Sequence, residues 1–137
     1  MITWDDSMTT GLSNLDAQHR EIIGKLNELS EALAGGQDRA RVAGEILDFL
    51  QFYAAWHFER EEALMEQYQC PIAETNKKEH VKFVERFGQF YEQWQTASMD
   101  LELVNKTHAE LANWIANHIL QVDTQLYAYV KNQEGTS

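Results

Sequence analysis

The stretch ILDFLQFYAAWHFEREEALMEQY, residues 46–68, determines the class of fold that this chain adopts. Its inward positions recur every three or four residues, at Ile46, Leu50, Tyr53, His57, Glu61, Leu64 and Tyr68. That period predicts one face of a long α-helix, which we expect to run from about residue 39 to residue 68. His57 and Glu61 interrupt an otherwise apolar stripe, so the predicted helix carries two polar side chains into the interior.

Three further segments repeat the same helical period. The first ends at Gly35 and Gly36, which supply a stop, and Pro71 suits the first turn of the third. A short link over residues 96–100 precedes the fourth, with Ser98 or Asp100 as its N-cap. The inward stripes are Leu15, His19, Ile22, Leu26, Leu29 and Leu33 in the first segment; Ile72, Asn76, His80, Phe83, Phe87, Phe90 and Trp94 in the third; and Leu101, Val104, His108, Leu111, Ile115, His118 and Val122 in the fourth.

Four helices with short connections predict an all-α protein, an up-down-up-down four-helix bundle in which consecutive helices are antiparallel neighbours. A single proline among 137 residues agrees with long helices. We expect one domain over residues 1–137. An N-terminal arm over residues 1–14 would pack on a bundle over residues 15–132, followed by a frayed tail over residues 133–137.

Composition excludes several classes of function. A net charge of −11 and a pI near 4.7 argue against nucleic acid or an anionic membrane as partner. No apolar run approaches the roughly 20 residues of a membrane helix, and no signal peptide opens the sequence, so we expect a cytoplasmic protein. Cys70 is the only cysteine, and we expect a passive thiol. Any metal site in this chain must therefore use histidine and carboxylate ligands.

The polar interruptions of the four stripes fall at one level of the predicted bundle. This layer contains His19, His57, Glu61, His80, His118 and Asp123. Taken singly, each histidine would more often be a hydrogen-bonded core residue, but buried carboxylates cost several kcal/mol unless paired, and a metal ion is an efficient partner. Imidazole and carboxylate without thiolate suit iron, manganese or zinc, and bridging carboxylates in a helical bundle favour a two-metal site.

The chain resembles the hemerythrin family, in particular the small bacterial hemerythrins (bacteriohemerythrins). The matching segments are residues 16–19 (DAQH), 57–65 (HFEREEALM), 79–83 (EHVKF) and 114–119 (WIANHI), followed by Asp123. Their order and spacing match, as does the opening segment from Trp4 to Leu12, so the resemblance covers nearly the whole chain.

The resemblance implies an oxo- or hydroxo-bridged centre of two iron ions, with Glu61 and Asp123 bridging, that binds dioxygen reversibly at one iron. By position, His19 and His57 would serve the oxygen-binding iron. His80 and His118 would serve the other iron. The apolar oxygen pocket of the family would be lined by Phe58, Ile115 and Ile119.

Asn76 departs from the family pattern, which has a histidine four residues before the one matched by His80. Its amide oxygen is a neutral ligand, so Asn76 is expected to bind iron weakly or to hold a water that does. Each iron would then have two histidines. A core asparagine with no role in the layer is the alternative.

His108 also lies on the inward stripe, ten residues before His118. That spacing places it about 15 Å along the helix, too far for coordination. We therefore expect a core or rim histidine with one hydrogen bond.

The first functional hypothesis is an oxygen-binding protein without turnover, whose dioxygen would be stored, sensed or delivered to an oxygen-requiring enzyme. The alternatives are a di-iron enzyme that acts on oxygen, peroxide or nitric oxide through an extra open iron position, and a regulatory bundle that has lost its metal. The sequence leaves the oligomeric state open.

Overall fold

The computed structural model describes residues 2–35, 39–96 and 101–135. These residues form four long helices, α1 (Ser13–Ala34), α2 (Arg39–Gln67), α3 (Ala73–Thr96) and α4 (Leu101–Gln121), and a shorter helix α5 (Leu126–Gly135). Short 3-10 turns occur at Asp6–Met8 and Asp123–Gln125. No strand occurs in the described part of the chain, and the prediction of an all-α fold is confirmed.

The four long helices close into a ring. Helix α1 packs against α2 and α4, α2 packs against α3, and α3 packs against α4. Consecutive helices are therefore neighbours, as an up-down-up-down bundle requires. None of the described helices is long and apolar enough to cross a membrane.

The buried face of α2 is wider than the single stripe that the sequence suggested. Leu47, Phe58 and Met65 are buried, whereas Tyr53 and Leu64, which we expected to point inward, are only half-buried. The reason is that α2 contacts α1 on one side and α3 on the other. Two neighbouring rows of its side chains are therefore buried.

Two apolar clusters fill the interior. The smaller one consists of Leu15, Met65, Cys70, Leu126 and Val130. The larger one occupies the rest of the bundle and includes Ile22 of α1 and Phe58 of α2. Because His19 lies between Leu15 and Ile22 and Glu61 lies between Phe58 and Met65, the predicted polar layer separates the two clusters.

Asp16, which is buried near the start of α1, holds the N-terminal arm in place through hydrogen bonds. Its carboxylate accepts hydrogen bonds from the Thr9 hydroxyl at 2.6 Å, from the Thr10 backbone N–H at 2.8 Å and from the Thr10 hydroxyl at 2.9 Å. Gly11 follows with a φ of +83°, a left-handed conformation that glycine adopts without strain. A Cβ there would lie 3.0 Å from the Tyr127 ring of α5, so the arm also reaches the C-terminal helix.

The end of the bundle differs from the sequence expectation. Helix α4 stops at Gln121, before Val122, and the 3-10 turn and α5 follow. Residues 133–135, expected to be frayed, continue α5, whereas residues 136 and 137 lie outside the described ranges. Pro71 stands two residues before α3 rather than in its first turn. The predicted stop at Gly36 and the predicted N-caps Ser98 and Asp100 also lie outside the described residues.

Candidate metal centre

Every long helix contributes to one buried polar layer. The side chains are His19 from α1, His57 and Glu61 from α2, Asn76 and His80 from α3, His118 from α4 and Asp123 from the turn after α4. All are at most 6% exposed. His57 and Glu61 share a face because they are one helical turn apart. The structure therefore brings together all six residues that the sequence suggested as ligands, and Asn76 beside them.

Asp123 lies in the layer because the helix breaks before it, and helical periodicity does not predict that position. We expected a fourth helix that continues through Asp123, since the predicted bundle extends to residue 132. Instead the helix breaks after Gln121, and Asp123 begins the 3-10 turn with 1% of its surface exposed. The break turns the aspartate inward, so the carboxylate lies level with His118.

One half of the layer is formed by His19 and His57. The Nε2 atoms of these two residues lie 3.0 and 3.2 Å from Oε2 of Glu61. Nε2 of His19 also lies 3.2 Å from Oδ2 of Asp123. One oxygen from each carboxylate thus faces this histidine pair.

The other half is formed by His80 and His118. Nε2 of His80 lies 3.2 Å from Oε1 of Glu61, and Nε2 of His118 lies 3.2 Å from Oδ1 of Asp123. Each carboxylate therefore directs one oxygen to each histidine pair. This is the arrangement in which two carboxylates can bridge two cations.

Two histidines of the layer are oriented from outside it. Nδ1 of His57 lies 2.6 Å from Oε1 of Gln18, and Nδ1 of His80 lies 3.2 Å from Oε2 of Glu62. Each Nδ1–H can donate to its partner, which leaves the Nε2 lone pair directed into the layer.

Aromatic rings cover the second pair of histidines. Phe58 stacks on His80 with ring centroids 3.8 Å apart, and Trp114 stacks on His118 with centroids 4.5 Å apart. The position of Trp114, one helical turn before His118, is a signal in the sequence of this contact. For Gln18 no comparable signal existed, because its partner His57 lies on another helix.

Burial and charge act against each other in the layer. Burial alone would lower the pKa of His19, but hydrogen bonds and charge from Asp123 and Glu61 outweigh it and raise the pKa to about 10. Burial would raise the pKa of Glu61, yet the imidazoles of His19, His57 and His80 beside its oxygens hold it well below its usual range. The carboxylate of Glu61 is therefore charged although it is buried.

Unsatisfied polar atoms show that the layer fits a metal ion. Six buried side-chain atoms of these residues make no hydrogen bond to any described residue, namely His19 Nδ1, Glu61 Oε1, Asn76 Nδ2, His80 Nε2, His118 Nδ1 and Asp123 Oδ1. Glu61 Oε1, His80 Nε2 and Asp123 Oδ1 carry lone pairs that a cation would satisfy. The possible ligand atoms of Glu61, His80, His118 and Asp123 lie within 4.8 Å of one another, as do those of His19, His57 and Glu61.

The remaining residues singled out by the sequence lie around this layer or away from it. Phe58, Ile115 and Ile119 are buried in the larger apolar cluster. Nε2 of His108 donates a hydrogen bond to the carbonyl oxygen of Leu26 at 2.8 Å and links α4 to α1. His108 belongs to neither group of possible ligands.

The fold and the site together define a class, the helical bundles that bind cations through a buried layer of histidines and carboxylates. Residues 10–130 match the hemerythrin HHE cation binding domain. The chain belongs to the hemerythrin family.

Individual relatives agree with this assignment. The bacteriohemerythrin of Stenotrophomonas maltophilia is 34% identical over 93% of this chain and 80% of the relative. That of Pseudomonas aeruginosa is 30% identical over 89% of this chain and 76% of the relative. The crystal structure of a wild-type hemerythrin superposes with a TM-score of 0.78 at 26% identity, covering 93% of this chain and 98% of that chain.

Proposed function

We propose that this chain holds two iron ions in its polar layer and binds dioxygen reversibly, for storage, delivery or sensing. One observation carries the proposal: Glu61 and Asp123 each offer one oxygen to each of two histidine pairs. Membership of a family defined by a cation-binding domain supports it. The ligand set of imidazole and carboxylate also suits manganese or zinc, and the hemerythrin relationship favours iron.

The proposed roles divide between the two halves of the layer. His19 and His57 would hold the iron that serves dioxygen, and His80 and His118 would hold the other. Glu61 and Asp123 would bridge them, and Asn76 would be a weak or water-mediated ligand of the second iron.

When bound, the two iron ions supply the electrons and the open coordination position that hold dioxygen. The chain's own residues orient the ligands and keep water out. Gln18 and Glu62 fix the rings of His57 and His80 through their Nδ1 atoms. We infer that Phe58, Ile115 and Ile119, each at most 4% exposed, form the apolar surroundings in which dioxygen binds.

The test is the iron content of the purified protein together with its visible spectrum, recorded after anaerobic reduction and again after exposure to air. We expect two irons per chain and an absorption band that appears in air and disappears when oxygen is removed. Fewer than two irons, or a band that never reverses, would contradict the proposal.

Matched variants on α2 sharpen the test. Glu61→Gln should lose at least one iron, because its carboxylate is proposed to bridge, whereas Glu59→Gln, at an exposed position of the same helix, should retain both. Asp123→Asn should behave like Glu61→Gln. If both layer variants kept two irons, the bridging roles would be wrong.

A second candidate function is a di-iron enzyme that acts on oxygen, peroxide or nitric oxide. Asn76 favours it, because a neutral amide in place of an imidazole leaves the second iron more accessible. An oxygenated form that is stable in air supports the oxygen carrier, whereas its rapid decay with consumption of added peroxide supports the enzyme. A chain that binds no iron would instead be a regulatory bundle.

A further inference from the structure

The two halves of the layer present the same kinds of donor. The first half offers the Nε2 atoms of His19 and His57 and one oxygen each from Glu61 and Asp123. The second half offers the Nε2 atoms of His80 and His118 and the other oxygen of each carboxylate. An octahedral ion bound by the donors of one half, and by a bridging oxygen that it shares with the other ion, would keep one open coordination position. This holds for both halves. Asn76 is the residue that distinguishes the second side.

The side chain of Asn76 is held in place by a contact that a metal ion would remove. Its Oδ1 accepts a hydrogen bond from Nε2 of His118 at 2.9 Å, which requires a proton on that nitrogen. Once the Nε2 lone pair is given to a metal, no proton remains there and the amide loses this partner. The side chain is fully buried, and its Nδ2 already lacks a hydrogen bond to any described residue.

A buried amide without partners is costly, and the N–H donors of Asn76 would be satisfied by an anion or by water. Beside a cation, an anion is the stronger acceptor. Phe58 and Trp114 lie flat against His80 and His118 on that side. Because the layer is buried, only a small ligand fits.

We propose that Asn76 forms a second binding position for a small anion, on the His80–His118 side of the layer, in addition to the position for dioxygen on the opposite side. The inference rests on the proposed function, since it requires both irons. In this position the anion accepts a hydrogen bond from Nδ2 of Asn76 while it occupies the open position of the second iron.

The test is a calorimetric titration of the iron-loaded, oxidised protein with azide, after its iron content has been measured. The wild-type protein should bind two azide ions per chain. Asn76→His should bind one, because the imidazole fills the position. Asn76→Leu should leave the position open but remove the donor, so its second azide should bind about tenfold more weakly or worse.

His108→Gln is the matched control, because His108 lies on α4 but bonds to Leu26, away from the layer. It should bind two azide ions, as the wild type does. Two irons with a single azide in the wild type would overturn this inference and leave the proposed function standing. Fewer than two irons would overturn both. An Asn76→Leu variant that binds both azides as tightly as the wild type would show that the amide takes no part.

Discussion

Gln18 and Glu62 act on the layer without entering it, and both do so through a histidine Nδ1. The Glu62 carboxylate is 28% exposed, so its contact with His80 lies at the border between the site and the surface. A histidine that donates Nδ1–H to a fixed acceptor has its ring orientation set and its Nε2 made more basic. Metal affinity should therefore depend on residues that are not ligands.

We expect Glu62→Ala to lower metal affinity by about tenfold to a hundredfold, because His80 would lose the partner that orients it. The free energy of unfolding of the metal-free protein should barely change, since the lost contact is partly solvated. Competition with a chelator measures the affinity, and Glu59→Ala on the same helix is the control. Equal affinities for the two variants would show that Glu62 does not orient His80.

At the scale of elements, the layer depends on how α1 begins, how α4 ends and how α5 packs. The break after Gln121 turns Asp123 inward, and α5 then packs Leu126 and Val130 under the layer. The same helix places the Tyr127 ring and Val130 beside Gly11 of the arm. The arm and α5 thus support each other at the end of the bundle that lies next to the smaller apolar cluster.

Gly11→Ala should reduce the free energy of unfolding by about 1–2 kcal/mol, because alanine is strained at positive φ. Its Cβ would also meet the Tyr127 ring at 3.0 Å. Gly24→Ala is the control: Gly24 lies within α1, and an alanine Cβ there would meet no atom within 4 Å, so the change should stabilise by about 0.5–1 kcal/mol. Chemical denaturation measures both. A Gly11→Ala variant as stable as the wild type would contradict the proposed role of this contact.

The sequence was sufficient to predict the four long helices and the level at which their polar residues meet, because both follow from helical period and short connections. It was not sufficient for α5, since Leu126 and Val130 form too short a stripe to distinguish a new helix from the continuation of α4. Nor could it reveal the contacts between Gln18 and His57 or between Glu62 and His80. Those contacts depend on the rotation of one helix against another, which the period of a single helix does not determine.

In the whole molecule, the layer lies between the two apolar clusters. It contains carboxylates, and the chain as a whole carries a net charge of −11. At the centre of the bundle, buried oxygens such as Glu61 Oε1 and Asp123 Oδ1 make no hydrogen bond to any residue that the structure describes. A bound metal should therefore contribute to the stability of the fold, as well as to function.

Removal of metal by a chelator should lower the midpoint of thermal unfolding, and the midpoint should rise again with the concentration of free ferrous iron. The reason is that a ligand bound only by the folded state stabilises it by mass action, by about 2.7 kcal/mol at a hundredfold excess over its dissociation constant. Asp123→Asn should lose most of this iron-dependent rise in the midpoint of unfolding, whereas His108→Gln should keep it. A midpoint that does not respond to iron in wild-type protein known to bind it would contradict a structural role for the metal.

The central claim is that two metal ions share Glu61 and Asp123. It is tested most directly by an anomalous difference map, recorded at the iron absorption edge from crystals of the iron-loaded protein. We predict two peaks, one beside Nε2 of His19 and His57 and one beside Nε2 of His80 and His118, each in contact with an oxygen of both carboxylates. A single peak, or two peaks of which either lacks contact with Glu61 or Asp123, would contradict the claim.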